Sequence, residues 1–129
     1  MMNGRITTST EIETKIVELQ KLLKLSTKAS VMRIAIGLSL KNDSDPRKKF
    51  VVDSNDHSGG TYQIGTITGI YDEVYKALLI EHLGSKIDDE KLYQSLLLAH
   101  INRGIELLYD EYQLKGNYDK VIDSIFSLI

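Results

Sequence analysis

Residues 29–40 place apolar side chains at Val31, Met32, Ile34, Ala35, Ile36, Leu38 and Leu40. At about 100° per residue these positions cover most of a helix circumference. A helix that is apolar almost all round must be buried on several sides. The segment therefore excludes a loose or extended chain here and sets the fold class as mainly α.

The flanking segments follow the same period. Residues 3–9 are short and β-branched, which predicts an extended arm or one short strand. Thr10-Glu11-Ile12-Glu13 has the form of a capping box opening a first helix. Ile12, Ile16, Leu19, Leu22 and Leu23 form its apolar face, with Lys21 and Lys24 pointing away and Lys15 at the flank. Leu25-Ser26-Thr27 interrupts the pattern, and Ser26 or Thr27 is placed to cap the second helix. Residues 41–64 read as a surface loop. They hold the only proline, Pro46, the basic run Arg47-Lys48-Lys49, and Phe50-Val51-Val52 as the one candidate strand. A third helix is expected from Ile70 to Leu83, stopped by Gly84. Asp88 should cap a long helix from Asp89 to about Leu114, and Asn117 a last one running to Ile129. Together these give one domain over 1–129, made of an arm and two helices (1–40), the loop (41–64) and a helical half (65–129). Five such helices carry more apolar surface than they bury alone, so self-association is expected through the second helix, the long helix or the tail.

The absence of cysteine excludes disulfides, thiolate metal sites and a cysteine nucleophile. The first residues lack the pattern of a signal peptide, and no apolar run approaches the roughly 20 residues of a membrane span. A soluble cytoplasmic protein is the expectation. His57, His82 and His100 share no metal-ligand spacing, and His82 is placed to serve the last carbonyls of its helix. Gly59-Gly60 and Gly65/Gly69 lack the lysine of a phosphate loop. The acids of Asp72-Glu73 and Asp88-Asp89-Glu90 fall in first helical turns, where the helix dipole accounts for them. No catalytic, cofactor or metal site is expected.

Charge is the stronger signal. Residues 1–49 hold ten bases against five acids, and the remainder six bases against thirteen acids. Lys15, Lys21, Lys24, Lys28 and Arg33 lie on or between the first two helices, and Arg47, Lys48 and Lys49 lie in the loop. Long cations on a common face suffice for sequence-independent, salt-sensitive phosphate binding.

Three stretches resemble the DndE family of DNA sulfur-modification (phosphorothioation) proteins. They are Ser26 to Leu40, with its Arg33-Ile34-Ala35 step and Leu38-Ser39-Leu40 end; Gly60 to His82, with Thr66-Ile67-Thr68-Gly69 before Tyr71 to Leu79; and His100 to Leu108. The resemblance covers roughly residues 5–112. It implies a small helical protein with a ribbon-helix-helix-like front half that forms tetramers. It also implies binding to double-stranded DNA, preferring nicked DNA, through surface lysines, and partnership with the other sulfur-modification proteins. The tail 117–129 extends past the matched part. A second reading from the residues is a ribbon-helix-helix transcription regulator. There the arm Arg5-Ile6-Thr7-Thr8-Ser9 would pair with a mate and present Arg5, Thr7 and Ser9 to a major groove.

Overall fold

The computed structural model describes residues 4–49, 56–115 and 118–128. The chain is mainly helical. A strand β1 (Arg5–Thr7) leads into α1 (Thr10–Leu22) and α2 (Lys28–Leu40), followed by a 3-10 turn at Pro46–Lys48. Next come β2 (Thr61–Gln63), a single-turn α3 (Ile64–Thr68), a 3-10 turn at Gly69–Tyr71, α4 (Asp72–Leu83), the long α5 (Glu90–Lys115) and α6 (Tyr118–Leu128).

The starts of α1, α2 and α5 are set by short polar side chains, each one residue away from the simplest sequence expectation or at one of two expected places. Ser9, not Thr10, caps α1: its hydroxyl accepts from the Ile12 amide at 3.2 Å. No capping box forms, because the Glu13 carboxylate turns to Thr8, Lys28 and Tyr62 instead. Thr27 caps α2 through the Ser30 amide at 3.1 Å. At α5 the Lys91 amide donates to the Asp89 side chain at 2.8 Å, so Asp89 takes the place expected of Asp88. Gly84 ends α4 in the left-handed region at φ 80°, where a Cβ would be strained. The expected third helix forms as α4 but starts two residues late: residues 69–71 are 3-10 rather than α, and the short α3 precedes them at 64–68. The Phe50-Val51-Val52 strand and the Asn117 cap lie outside the described residues.

The expected 41–64 loop contains a strand. Thr61, Tyr62 and Gln63 pair antiparallel with Thr7, Ile6 and Arg5. Gly59 and Gly60 continue this pairing: the Thr8 amide donates to the Gly60 carbonyl and the Gly59 amide to the Thr8 carbonyl. A Cβ at either glycine would fall against Thr8, Ser9, Glu13 or Tyr62. Close packing thus explains the glycine pair without a ligand. Asp56 secures the same segment by accepting from the Thr10 amide and hydroxyl at 3.0 and 3.1 Å.

At the centre, α2 packs mainly against α5, and one core cluster runs from Ile6 to Ile125. Val31, Met32, Ala35, Ile36 and Leu38 are buried and Ile34 and Leu40 half-buried, as all-round apolarity requires. Gly104 lies opposite Ala35, and Ser39 opposite His100 and Arg103, so the two helices run antiparallel. Gly104 allows the close approach: a Cβ there would overlap the main chain of Ala35. In a free helix Gly104→Ala would gain about 1 kcal/mol. Here backbone must move, and overpacking of this kind costs roughly 1–3 kcal/mol. The clash should win, so the urea midpoint of Gly104→Ala falls clearly below wild type. A raised midpoint would show that the crossing is looser than described.

Candidate nucleic-acid interface

Eight cations stood out in the sequence, and folding sorts them. Four are held by partners within the chain. Lys15 lies between Glu106 at 2.6 Å and Glu11 at 3.3 Å, over the Tyr109 ring. Burial would lower its pKa, but the two carboxylates outweigh burial and raise it. Lys28 pairs with Glu13 at 2.8 Å. For Glu13, burial works to raise the pKa. Hydrogen bonds from Lys28, Tyr62 and Thr8 prevail and hold it below the usual carboxylate range. Arg33 donates to the Ile67 carbonyl at 3.0 Å and the Ser30 hydroxyl at 3.2 Å, which ties α2 to the end of α3. Arg47 forks onto Asp45 at 2.8 Å, and that guanidinium drives the Asp45 pKa down to about 2.

Lys21, Lys24, Lys48 and Lys49 are exposed, as is the further lysine Lys41. Lys24 follows α1 with φ at 57°. Among the described residues, Lys21, Lys48 and Lys49 make no ion pair. These side chains form two groups along the chain. α2 has 13 residues, and at 1.5 Å each its ends lie about 20 Å apart. Lys21 and Lys24 precede one end, and Lys41, Lys48 and Lys49 follow the other.

A polar cluster missed in the sequence lies at that second end. Arg103 is 3% exposed. It donates to the Ser39 hydroxyl and carbonyl at 2.8 and 2.7 Å, and to the Asn42 carbonyl at 3.1 Å. It also donates to the Ser44 carbonyl and hydroxyl at 2.8 and 2.9 Å. His100, fully buried, meets the Ser39 hydroxyl through Nδ1 at 2.7 Å. Its ring stands edge-on to His82 with centroids 4.8 Å apart. His82 Nε2 bonds the Asn42 carbonyl at 2.5 Å, so it serves the end of α2 rather than that of its own helix. The sequence carried one clue to this cluster. A histidine and an arginine three apart share a face of a helix otherwise lined by Leu96, Leu97, Ile101 and Ile105.

Chemically, the cluster is not built for catalysis. Ser39 and His100 are both wholly buried. Desolvation, helped by His82 and Arg103, lowers the His100 pKa from 6.5 to about 3. Among the described residues, no group of three His, Cys, Asp or Glu side chains is arranged to hold a metal, and no helix is long and apolar enough to cross a membrane.

The depressed His100 value fixes a pH dependence. Between about 6.5 and about 3 the unfolded chain binds a proton at His100 that the folded chain refuses. Stability is therefore intact above 6.5 and falls as pH drops, by about 1.4 kcal/mol per unit for this one group. His100→Asn should be less stable than wild type at pH 7. The gap should narrow by roughly 2 kcal/mol between pH 6.5 and 5, measured by urea unfolding. Parallel stability curves would contradict the assignment of a neutral, buried His100.

The model of the family described as DNA sulphur modification protein DndE matches residues 5–116. No curated protein matches the chain.

Proposed function

We propose that this chain, which belongs to the DndE family of DNA sulphur modification proteins, is the subunit that grips double-stranded DNA by its phosphates for a modification complex. The observation that carries this is the sorting of cations. Lys15, Lys28, Arg33 and Arg47 are engaged within the chain. Lys21, in the last turn of α1, and Lys48 and Lys49, in and after the turn at Pro46–Lys48, are exposed and make no ion pair among the described residues; Lys24 and Lys41 are exposed as well. Of the eight positions singled out in the sequence, the phosphate contacts are assigned to Lys21, Lys24, Lys48 and Lys49. Lys15, Lys28, Arg33 and Arg47 shape the surface around them.

Contacts of this kind position a protein on a duplex without reading bases. A nick makes a duplex easier to bend. Two cationic groups, one before α2 and one after it in the chain, would favour DNA that can bend onto both. Family membership supports extending the proposal to a preference for nicked DNA, a cytoplasmic setting and the other sulfur-modification proteins as partners. The sulfur chemistry falls to those partners, and this chain carries no cofactor.

The homotetramer is part of the same proposal, with a changed location for the contact. α2 spends most of its apolar side chains inside the chain, so the contact is assigned elsewhere. Ile70, Tyr71, Val74 and Leu78 are 90%, 59%, 53% and 44% exposed and lie along one side of α4 and the turn before it. Such a stripe is the place where copies would meet. The order β1, α1, α2 fits a ribbon-helix-helix-like front half, with β2 of the same chain supplying the second strand of the ribbon. In the transcription-regulator reading a mate's strand would pair with β1, which here pairs on one edge with β2 of its own chain.

Two measurements test this. Fluorescence anisotropy with intact and nicked duplex, in a salt series, should show binding with little base preference. Replacing Lys48 and Lys49 by Ala should lower the slope of log affinity against log salt by about 0.9 for each phosphate no longer neutralised. Lys15→Ala and Lys28→Ala should destabilise the fold and leave that slope alone. A slope that responds to Lys15 and Lys28 but not to Lys48 and Lys49 would overturn the assignment. Light scattering should give a tetramer for wild type and smaller species for Val74→Asp. A wild-type monomer would remove the oligomer from the proposal.

A further inference from the structure

Arg103 has a guanidinium with five N–H groups. All five are used, and none of the ion pairs among the described residues includes it. Its acceptors instead run along one short stretch of chain, from Ser39 inside α2 to Ser44 beyond it. Burial pulls the Arg103 pKa down, with Asp45 opposing the shift. A desolvated cation without an ion-pair partner is an expensive way to finish a helix. A glycine or a few waters commonly do the same.

The chain it holds makes the choice understandable. Asn42 and Ser44 are exposed, so water could satisfy their carbonyls. Pinning them adds shape rather than solvation. The pinning then propagates. The Asn42 side chain accepts from the Ser44 amide at 3.0 Å and from its hydroxyl at 2.8 Å. Asp45 accepts from the Arg47 amide at 2.9 Å and opens the 3-10 turn, whose Pro46 is buried. Lys48 and Lys49 come directly out of that turn. His82 adds a second hold on Asn42 from α4.

We infer that Arg103 is a positioning residue: by pinning Ser39, Asn42 and Ser44 it preshapes the 41–49 turn, so that Lys48 and Lys49 meet phosphate oxygens without first being ordered. This rests on the phosphate-binding reading above and deepens it. A turn ordered in advance spares the association step the entropy of fixing flexible side chains and backbone. Lysine cannot substitute, because a single ammonium has three donors on one atom and cannot span five acceptors.

The experiment uses the full chain with Arg103→Lys, Arg103→Gln, Lys48→Ala/Lys49→Ala and the combination of Arg103→Lys with the double alanine. Each is measured with a labelled 20-base-pair duplex across a salt series, at a temperature where circular dichroism shows all of them folded. Amide hydrogen exchange is followed at Ser44, Arg47 and Lys48. Arg103→Lys should speed exchange at those amides at least about tenfold and weaken duplex binding roughly tenfold. It should also lower the salt slope, which a loss of stability alone would not do. Adding the double alanine to Arg103→Lys should then change little. Should Arg103→Lys fail to fold, Arg103→Gln and the wild-type exchange rates decide. Fast wild-type exchange at Ser44 and Arg47 overturns the inference, as does a loosened turn with undiminished binding. Wild type that binds duplex while Lys48→Ala/Lys49→Ala binds equally well sinks this inference alone. Wild type that binds no duplex sinks the proposed function and this inference with it.

Discussion

The close antiparallel contact between α2 and α5 is the constraint on which the rest of the molecule depends. Gly104 brings the main chain of α5 against Ala35, leaving no room for a Cβ. One turn along, the same contact turns polar, with Ser39 between His100 and Arg103. The apolar half of the contact supplies burial, which favours packing but is tolerant of small slides. The polar half is directional. Hydrogen bonds from a buried guanidinium weaken steeply with misalignment. A buried group left without its partner costs about 1–3 kcal/mol or more. That half therefore fixes the register of the two helices and the path of the chain leaving α2.

Much of this was legible in the sequence because helical periodicity reports burial directly. All-round apolarity at Val31 to Leu40 gave both the helix and its central place. The Gly84 stop and the Thr27 cap followed from local chemistry. What was not legible came from contacts distant in sequence. Ser9 rather than Thr10 caps α1, because Glu13 is recruited by Lys28, Tyr62 and Thr8. Thr61 to Gln63 is too short a strand to announce itself and exists only by pairing with Arg5 to Thr7. The His100 and Arg103 side chains appeared as ordinary polar positions on a long helix. Their partners lie about sixty residues earlier in the chain.

The same limit governed the candidate site. A list of basic residues does not say which are already spoken for, and the acids that answer them are spread along the chain. Glu106 lies far from Lys15 in sequence, and Glu13 lies on a different helix from Lys28. Once those pairs are drawn, the apparent basic face of the first two helices separates into structural cations and solvent-facing ones. The exposed lysines lie outside α2, Lys21 in the last turn of α1 and Lys48 and Lys49 at the turn beyond α2. The polymer proposed to meet them is DNA, on which the family's modification system acts.

That division among the cations can be observed one lysine at a time. Reductive methylation with carbon-13 keeps each lysine charged and gives it a resolved NMR signal, which can be followed as duplex DNA is added. Resonances of Lys21, Lys48 and Lys49 should move with DNA while those of Lys15 and Lys28 stay in place. Movement of Lys15 and Lys28 with the solvent-facing lysines unaffected would contradict the account.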